Sequence, residues 1–200
     1  MRLLARCDVH LSGIPAKLKR NRATHEVRCR YTSAAGRQGK LFLEKIVNRA
    51  DLPNIDFFVI CYDDTAFDEE IFSGVQTVRD QGMKWELMKK YVTPEYCAEY
   101  DYVFIRHDDI DLLNLAFARF IAAMQRHSLE CAQPALSPDS CAHVGLTRMR
   151  SGSTGRFTDY VENMVPVLTR HAWCSYWNAL EDGKSRWGWQ HSANSRSACG

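Results

Sequence analysis

The sequence predicts an α/β protein built on a mostly parallel sheet flanked by helices. Three observations lead there. Short runs rich in β-branched and aromatic residues alternate with segments of helical spacing, as a parallel sheet with crossover helices requires. Two of the runs, residues 57–62 and 102–105, end abruptly in carboxylates at Asp63-Asp64 and at Asp108-Asp109. Finally, 200 residues with 46% hydrophobic content suffice for one well-buried domain and are short for two.

Taken in order, residues 1–24 are basic and poorly patterned, with a run of positive charge over 17–22, and are expected to form a solvated segment. The ordered domain is placed at 25–191. Residues 27–31 read as a strand. The following segment 33–40 holds Gly36 and Gly39 but lacks P-loop spacing, since neither Ser nor Thr follows Lys40, so an ordinary flexible loop is expected. A helix from Leu41 must stop before Pro53, because proline disfavours helix in the residue before it. Residues 57–62 form a buried strand, 75–78 a short one, and 84–92 a helix with Trp85, Met88 and Val92 on its core face. Thr93-Pro94 has the form of a further helix start.

The central strand is 102–105. Unpaired carboxylates are costly to bury, so this strand must stop near Arg106. The carboxyl end of a buried strand is where ligands bind in an open α/β sheet, which makes the acids that follow candidates for a site. Asp108, Asp109 and Asp111 are hard oxygen donors of the kind that hold Mg²⁺ or Mn²⁺, and with it a phosphate-bearing substrate. The alternative is a solvated acidic turn in which Asp111 caps the next helix, over 112–127.

A strand is expected within 129–134, then a long loop over 137–156 that carries Arg148, Arg150 and Arg156, any of which would suit a phosphate. Glu162 lies among apolar residues in 157–167, and the alternative to a buried acid is one that faces water from an edge strand. A buried acid must be paired, metal-bound or neutralised, so Glu162 is a candidate base. Asp63 is a candidate ligand contact at the sheet's edge, or else a turn former. A helix opening at Thr169 or Arg170 buries Trp173, Tyr176, Trp177 and Leu180, and residues 192–200 form a patternless tail.

A net charge of +2 gives no reason to expect a nucleic-acid partner. Eight cysteines without a CxxC pair point to free thiols and a reducing compartment rather than to zinc or disulfides. No segment approaches the roughly 20 apolar residues of a membrane span, and the first residues lack a signal-peptide core. A cytoplasmic location is the expectation, with the Golgi or a membrane surface as the setting if an anchor lies upstream.

Four segments in order resemble a domain-of-unknown-function family related to GT-A-type nucleotide-sugar glycosyltransferases. They are 99–104 running into His107-Asp108-Asp109-Ile110-Asp111, Gln133-Pro134-Ala135-Leu136, 160–167 around Glu162, and Trp187-Gly188-Trp189-Gln190. The resemblance implies a GT-A-like fold, a divalent metal and a nucleotide-sugar donor, with a glycan or other sugar as acceptor. It places Asp108 and Asp109 on the second and third acids of a DDD triplet, Asp111 on an acidic position beyond, and Glu162 on the carboxylate of a Phe-Val-Glu motif. Asp63 and Arg148 would then contact the donor along with Asp108. His107 replaces the first acid of the triplet, and Gln190 replaces the Asp of a Trp-Gly-Leu-Asp motif. Glutamine cannot take up a proton at neutral pH, so a degenerate pseudoenzyme that binds nucleotide or glycan without catalysis is the alternative. A phosphotransferase or nucleotidyltransferase using the same metal is a third reading.

Overall fold

Each long strand of this chain divides its side chains between two apolar cores, which fixes a sheet covered on both faces. In the computed structural model, residues 3–4, 26–49, 54–140, 147–153, 155–158 and 160–180 are described. The elements are β1 (Leu3–Leu4), β2 (Cys29–Ala35), α1 (Lys40–Val47), β3 (Ile55–Cys61), β4 (Gln76–Arg79), α2 (Lys84–Tyr91), β5 (Tyr102–Arg106), β6 (Ile110–Asp111), α3 (Phe117–Arg126), β7 (Cys131–Ala132), β8 (Val167–Thr169) and α4 (Arg170–Ala179). The main sheet has six strands in the order β4-β3-β2-β5-β8-β7, and β1 pairs separately with β6. β4, β3, β2 and β5 are parallel, while β8 runs antiparallel to both β5 and β7.

Alternation along β5 is clean. Tyr102 and Phe104 join the core beneath α1 and α3, with Tyr31, Leu43, Ile46 and Phe120. Val103 and Ile105 join the opposite core, beneath α2 and α4, with Trp85, Met88 and Trp173. Burial on both faces explains why β5 reads as a continuous apolar run instead of an alternating one. The fully buried Trp173 donates its indole N–H to the Val92 carbonyl at 2.9 Å, and Trp177 donates to the Lys89 carbonyl at 3.0 Å, so α4 is pinned to α2 by polar as well as apolar contacts. Thr169 caps α4 by accepting from the Ala172 N–H at 3.2 Å, as its position before the helix suggested.

Four expectations are corrected. β2 is longer than residues 27–31: it runs on through Ser33, Ala34 and Ala35, because β3 offers it backbone partners along its whole length. Residues 94–99 make turns only, with the Thr93 hydroxyl accepting from the Tyr96 N–H, because Asp101 is already held against Arg28 at the start of the next strand. α3 starts at Phe117, since Ile110–Asp111 are taken by the pairing with β1. Glu162 lies not on an edge strand but on irregular chain leading into β8, an interior strand between β5 and β7. Gln190, the remaining tail, and all of the basic segment but Leu3–Leu4 lie outside the described residues. No helix among those described is long and apolar enough to cross a membrane.

Cys29, Cys61 and Cys97 are buried free thiols. Burial pushes the Cys97 thiol up to about 12 from its ordinary 9.0, because the thiolate would lose its hydration. A raised folded-state pKa contributes stability that is intact below pH 9 and is lost as pH climbs toward 12. Cys97→Ala is therefore expected to flatten the alkaline limb of the stability curve by about 1.4 kcal/mol per pH unit, measured by denaturant unfolding between those limits. An unchanged slope would show that the thiol ionises freely in the folded protein.

Candidate functional site

From β2 the chain steps outward to β3 and β4, then crosses back to place β5 on the other side of β2. The carboxyl ends of β2 and β5 therefore flank the point where the winding reverses, and a crevice for ligands opens at such a point. Three loops meet there: 36–39 after β2, Tyr62-Asp63 after β3, and His107-Asp108-Asp109 after β5.

Glycine permits the approach. A β-carbon at Gly39 would fall 2.4 Å from the Asp108 Cβ and 2.9 Å from the Asp108 carbonyl oxygen. At Gly36 it would fall 2.5 Å from an Asp63 carboxylate oxygen and from the Tyr62 ring. Residues 36–39 are thus a tight turn pressed onto both acids, closed by N–H groups of Gly39 and Lys40 donating to the Gly36 carbonyl.

The acidic turn is shaped from inside by Arg106, the last residue of β5, whose side chain is completely buried. Its guanidinium donates to the Ile110 carbonyl at 2.7 Å, the Asp108 carbonyl at 2.9 Å and the Ser33 hydroxyl at 3.4 Å. From the other side the His107 N–H donates to the Met164 carbonyl at 2.7 Å. The ligand atoms of His107, Asp108 and Asp109 all lie within 4.8 Å of one another, a spacing that one cation could span. Burial, with the charges of Lys84 and Arg106 adding to it, pushes the His107 imidazole down to about 3. It is therefore neutral at ordinary pH, as a metal ligand must be. The Tyr62 hydroxyl donates to one oxygen of Asp108, and burial first, then that bond, raises the phenol's pKa.

Other candidates fall in different places. Asp63 reaches the crevice, but its two oxygens accept from the N–H groups of Arg37 at 3.0 Å and Thr65 at 2.9 Å. These bonds, with the Thr65 hydroxyl first, hold its carboxyl below the usual range. Asp111 is buried in β6 and accepts from the Leu113 N–H at 2.9 Å, outside the trio. Glu162 is 8% exposed; its N–H donates to the Gln133 side chain, and its Oε2 has no partner among the described residues. Its neighbours tie it to the acids: Met164 receives the His107 N–H, and Asn163 receives the Lys84 ammonium. Arg148 sits elsewhere, lining a cavity whose described walls include none of the acidic trio.

Sequence reasoning missed Lys84. It sits on the first turn of α2 and reads as an ordinary polar position beside Trp85, yet its ammonium lies deep, 4.5 Å from the Trp85 ring centre. Burial pushes its pKa well down, and Asp109 and Asp108 pull it back up. No local pattern announces such a residue, because its neighbours come from β5 and the 160–166 segment.

Gly39→Ala is expected to cost about 1–3 kcal/mol, because the added methyl collides with main chain and a buried turn that cannot yield. Gly155→Ala, where nothing lies within 4 Å, serves as the control. Urea unfolding of both compares them directly, and equal stability would mean that the turn and the acids are not packed as described.

Comparison with known proteins adds three findings. A search of curated proteins finds no match. Among solved structures, a proposed nucleotide-diphospho-sugar transferase from Desulfovibrio desulfuricans G20 is similar at 11% identity and a TM-score of 0.46, over 79% of this chain and 71% of that one. A family profile matches residues 4–197, and the chain accordingly belongs to that family, described as Protein of unknown function (DUF707).

Proposed function

We propose that this chain is a metal-dependent glycosyltransferase that moves a sugar from a nucleotide-sugar donor to a glycan or other sugar acceptor. The observation that carries this reading is the gathering of His107, Asp108 and Asp109 within 4.8 Å at the point where the sheet reverses its winding. The four motif resemblances in chain order support it.

Two carboxylates and a neutral imidazole suit Mn²⁺ or Mg²⁺, carboxylate oxygen favouring both and the imidazole tilting the set toward Mn²⁺. Held by these three residues, a divalent cation would supply positive charge to offset what builds up on a nucleoside diphosphate leaving group. Asp109, the exposed member of the trio, is the ligand best placed to meet solvent-borne metal. Asp108 is held in orientation by Tyr62 on its side chain and Arg106 on its carbonyl. Lys84 donates to the Asn163 carbonyl, which positions the segment that carries Glu162. A buried carboxylate with one oxygen unpartnered among the described residues is suited to accept a proton from an acceptor hydroxyl, the role proposed for Glu162.

Thermal denaturation with Mn²⁺ and a panel of UDP- and GDP-sugars tests the donor site. At a hundredfold excess over Kd the expected stabilisation is about 2.7 kcal/mol, several degrees in Tm, for the wild type and not for Asp109→Ala. Equal shifts in both proteins would remove Asp109 from the site. Release of nucleoside diphosphate marks sugar transfer, whereas pyrophosphate marks nucleotidyl transfer.

Glu162→Gln is expected to keep the thermal shift and to lose on the order of a hundredfold or more in turnover. Gln190, where the related motif carries an acid, favours the second reading, a binding pseudoenzyme. Donor binding without turnover in the wild type, together with a gain of transfer in Gln190→Asp, would establish that reading instead.

A further inference from the structure

On the α3 side of the sheet, a cavity of about 480 Å³ lies between α3, β7 and the residues that follow Thr147. Its volume falls in the range of small-molecule sites, which run from about 300 to 1,000 Å³. The floor is apolar, formed by Phe120, Met124 and Leu129, and Phe157 stands at the mouth. Around it are four arginines: Arg126 from the last turn of α3, and Arg148, Arg150 and Arg156 from the loop. Among the described lining residues there is no aspartate or glutamate.

That combination is selective. An apolar floor rewards an apolar body, and a rim whose described charges are all cationic rewards one anionic head, while a neutral or cationic ligand gains from only one of the two. Arg126 and Arg150 are exposed and make no ion pair with the described residues, so they are available to an incoming anion. Phe157 is 75% exposed, its ring held edge-on to His127 at 5.6 Å, and leaves an aromatic face at the mouth for a ligand to cover. Gln133 lines the same cavity and has its buried Nε2 unpartnered among the described residues, a further donor on the wall.

We propose that this cavity binds an amphipathic anion: a phosphate or carboxylate head on an aromatic or otherwise apolar body. The site is separate from the acidic trio and does not depend on sugar transfer, although Gln133 joins the two regions by accepting the Glu162 N–H.

Isothermal calorimetry on the full chain in EDTA, with 1-naphthyl phosphate as probe, tests it. Naphthyl phosphate is expected to bind at least about tenfold tighter than either inorganic phosphate or 1-naphthol, since each of those satisfies half of the site. Arg126→Glu and Arg150→Glu are each expected to weaken binding about tenfold or more, with circular dichroism and Tm unchanged. Arg119→Glu, on α3 but outside the lining, controls for bulk charge, and Asp109→Asn controls for the acidic site; both should bind the probe as the wild type does. Naphthol or phosphate binding as tightly as naphthyl phosphate would overturn the proposal. So would undiminished binding in the Arg126 and Arg150 variants, an equal loss in Arg119→Glu, or a loss in Asp109→Asn. A failed donor test at Asp109 leaves these outcomes readable, because the probe needs no metal.

Discussion

One buried charge organises the candidate site. Arg106 ends the central strand with no exposed surface, and a guanidinium cannot give up its proton to escape the cost of desolvation. An ion held away from water carries a penalty of several kcal/mol unless its donors are met. Arg106 meets them with the carbonyls of Asp108 and Ile110 and the hydroxyl of Ser33. Turning those carbonyls inward forces the chain after β5 to curl over the guanidinium, and the carboxylates of Asp108 and Asp109 are carried to the outside of the curl. The acids are presented to the crevice because the cation beneath them takes the main chain, not their side chains.

The same constraint explains which parts of the fold are legible in the sequence. β5 is readable because a two-sided burial leaves an unbroken apolar run, and its end is readable because carboxylates cannot follow it inward. The family resemblance, drawn from short motifs, holds at the level of a domain-of-unknown-function family. β2 is misread for a physical reason as well. Ser33, Ala34 and Ala35 have weak strand propensity, and pairing to β3 along all three, with β5 as a second neighbour at Ser33, makes strand the best state for them. The glycines that follow look like a flexible loop in one dimension. In three they are the only residues small enough to let that loop touch Asp108 and Asp63.

Lys84 and Glu162 mark the limit of local reading. Glu162 is noticeable because an acid among apolar residues needs an explanation. Lys84 is not, because a lysine on the first turn of a helix is ordinary until β5 and the 160–166 segment close over it. Its ammonium then links α2 to the Asn163 carbonyl, while the His107 N–H links β5 to Met164. Glu162 is held next to the acidic turn by two hydrogen bonds made by its neighbours, neither of which uses its own carboxylate.

That arrangement bears on how the two regions of the molecule relate. The 160–164 segment has the acidic turn on one side and, through Tyr160, Val161 and Gln133, the arginine-rimmed cavity on the other. Charge is sorted across it: carboxylates gather toward the end of β5, guanidiniums around the space beneath α3. A ligand that approached from the crevice would meet the acidic turn, with the Arg106 guanidinium buried beneath it. Glu162 sits in the chain between these two regions: Gln133 of the cavity wall accepts its N–H, Met164 two residues on accepts the His107 N–H, and its own Oε2 has no partner among the described residues, a cost that a purely structural core position would not carry.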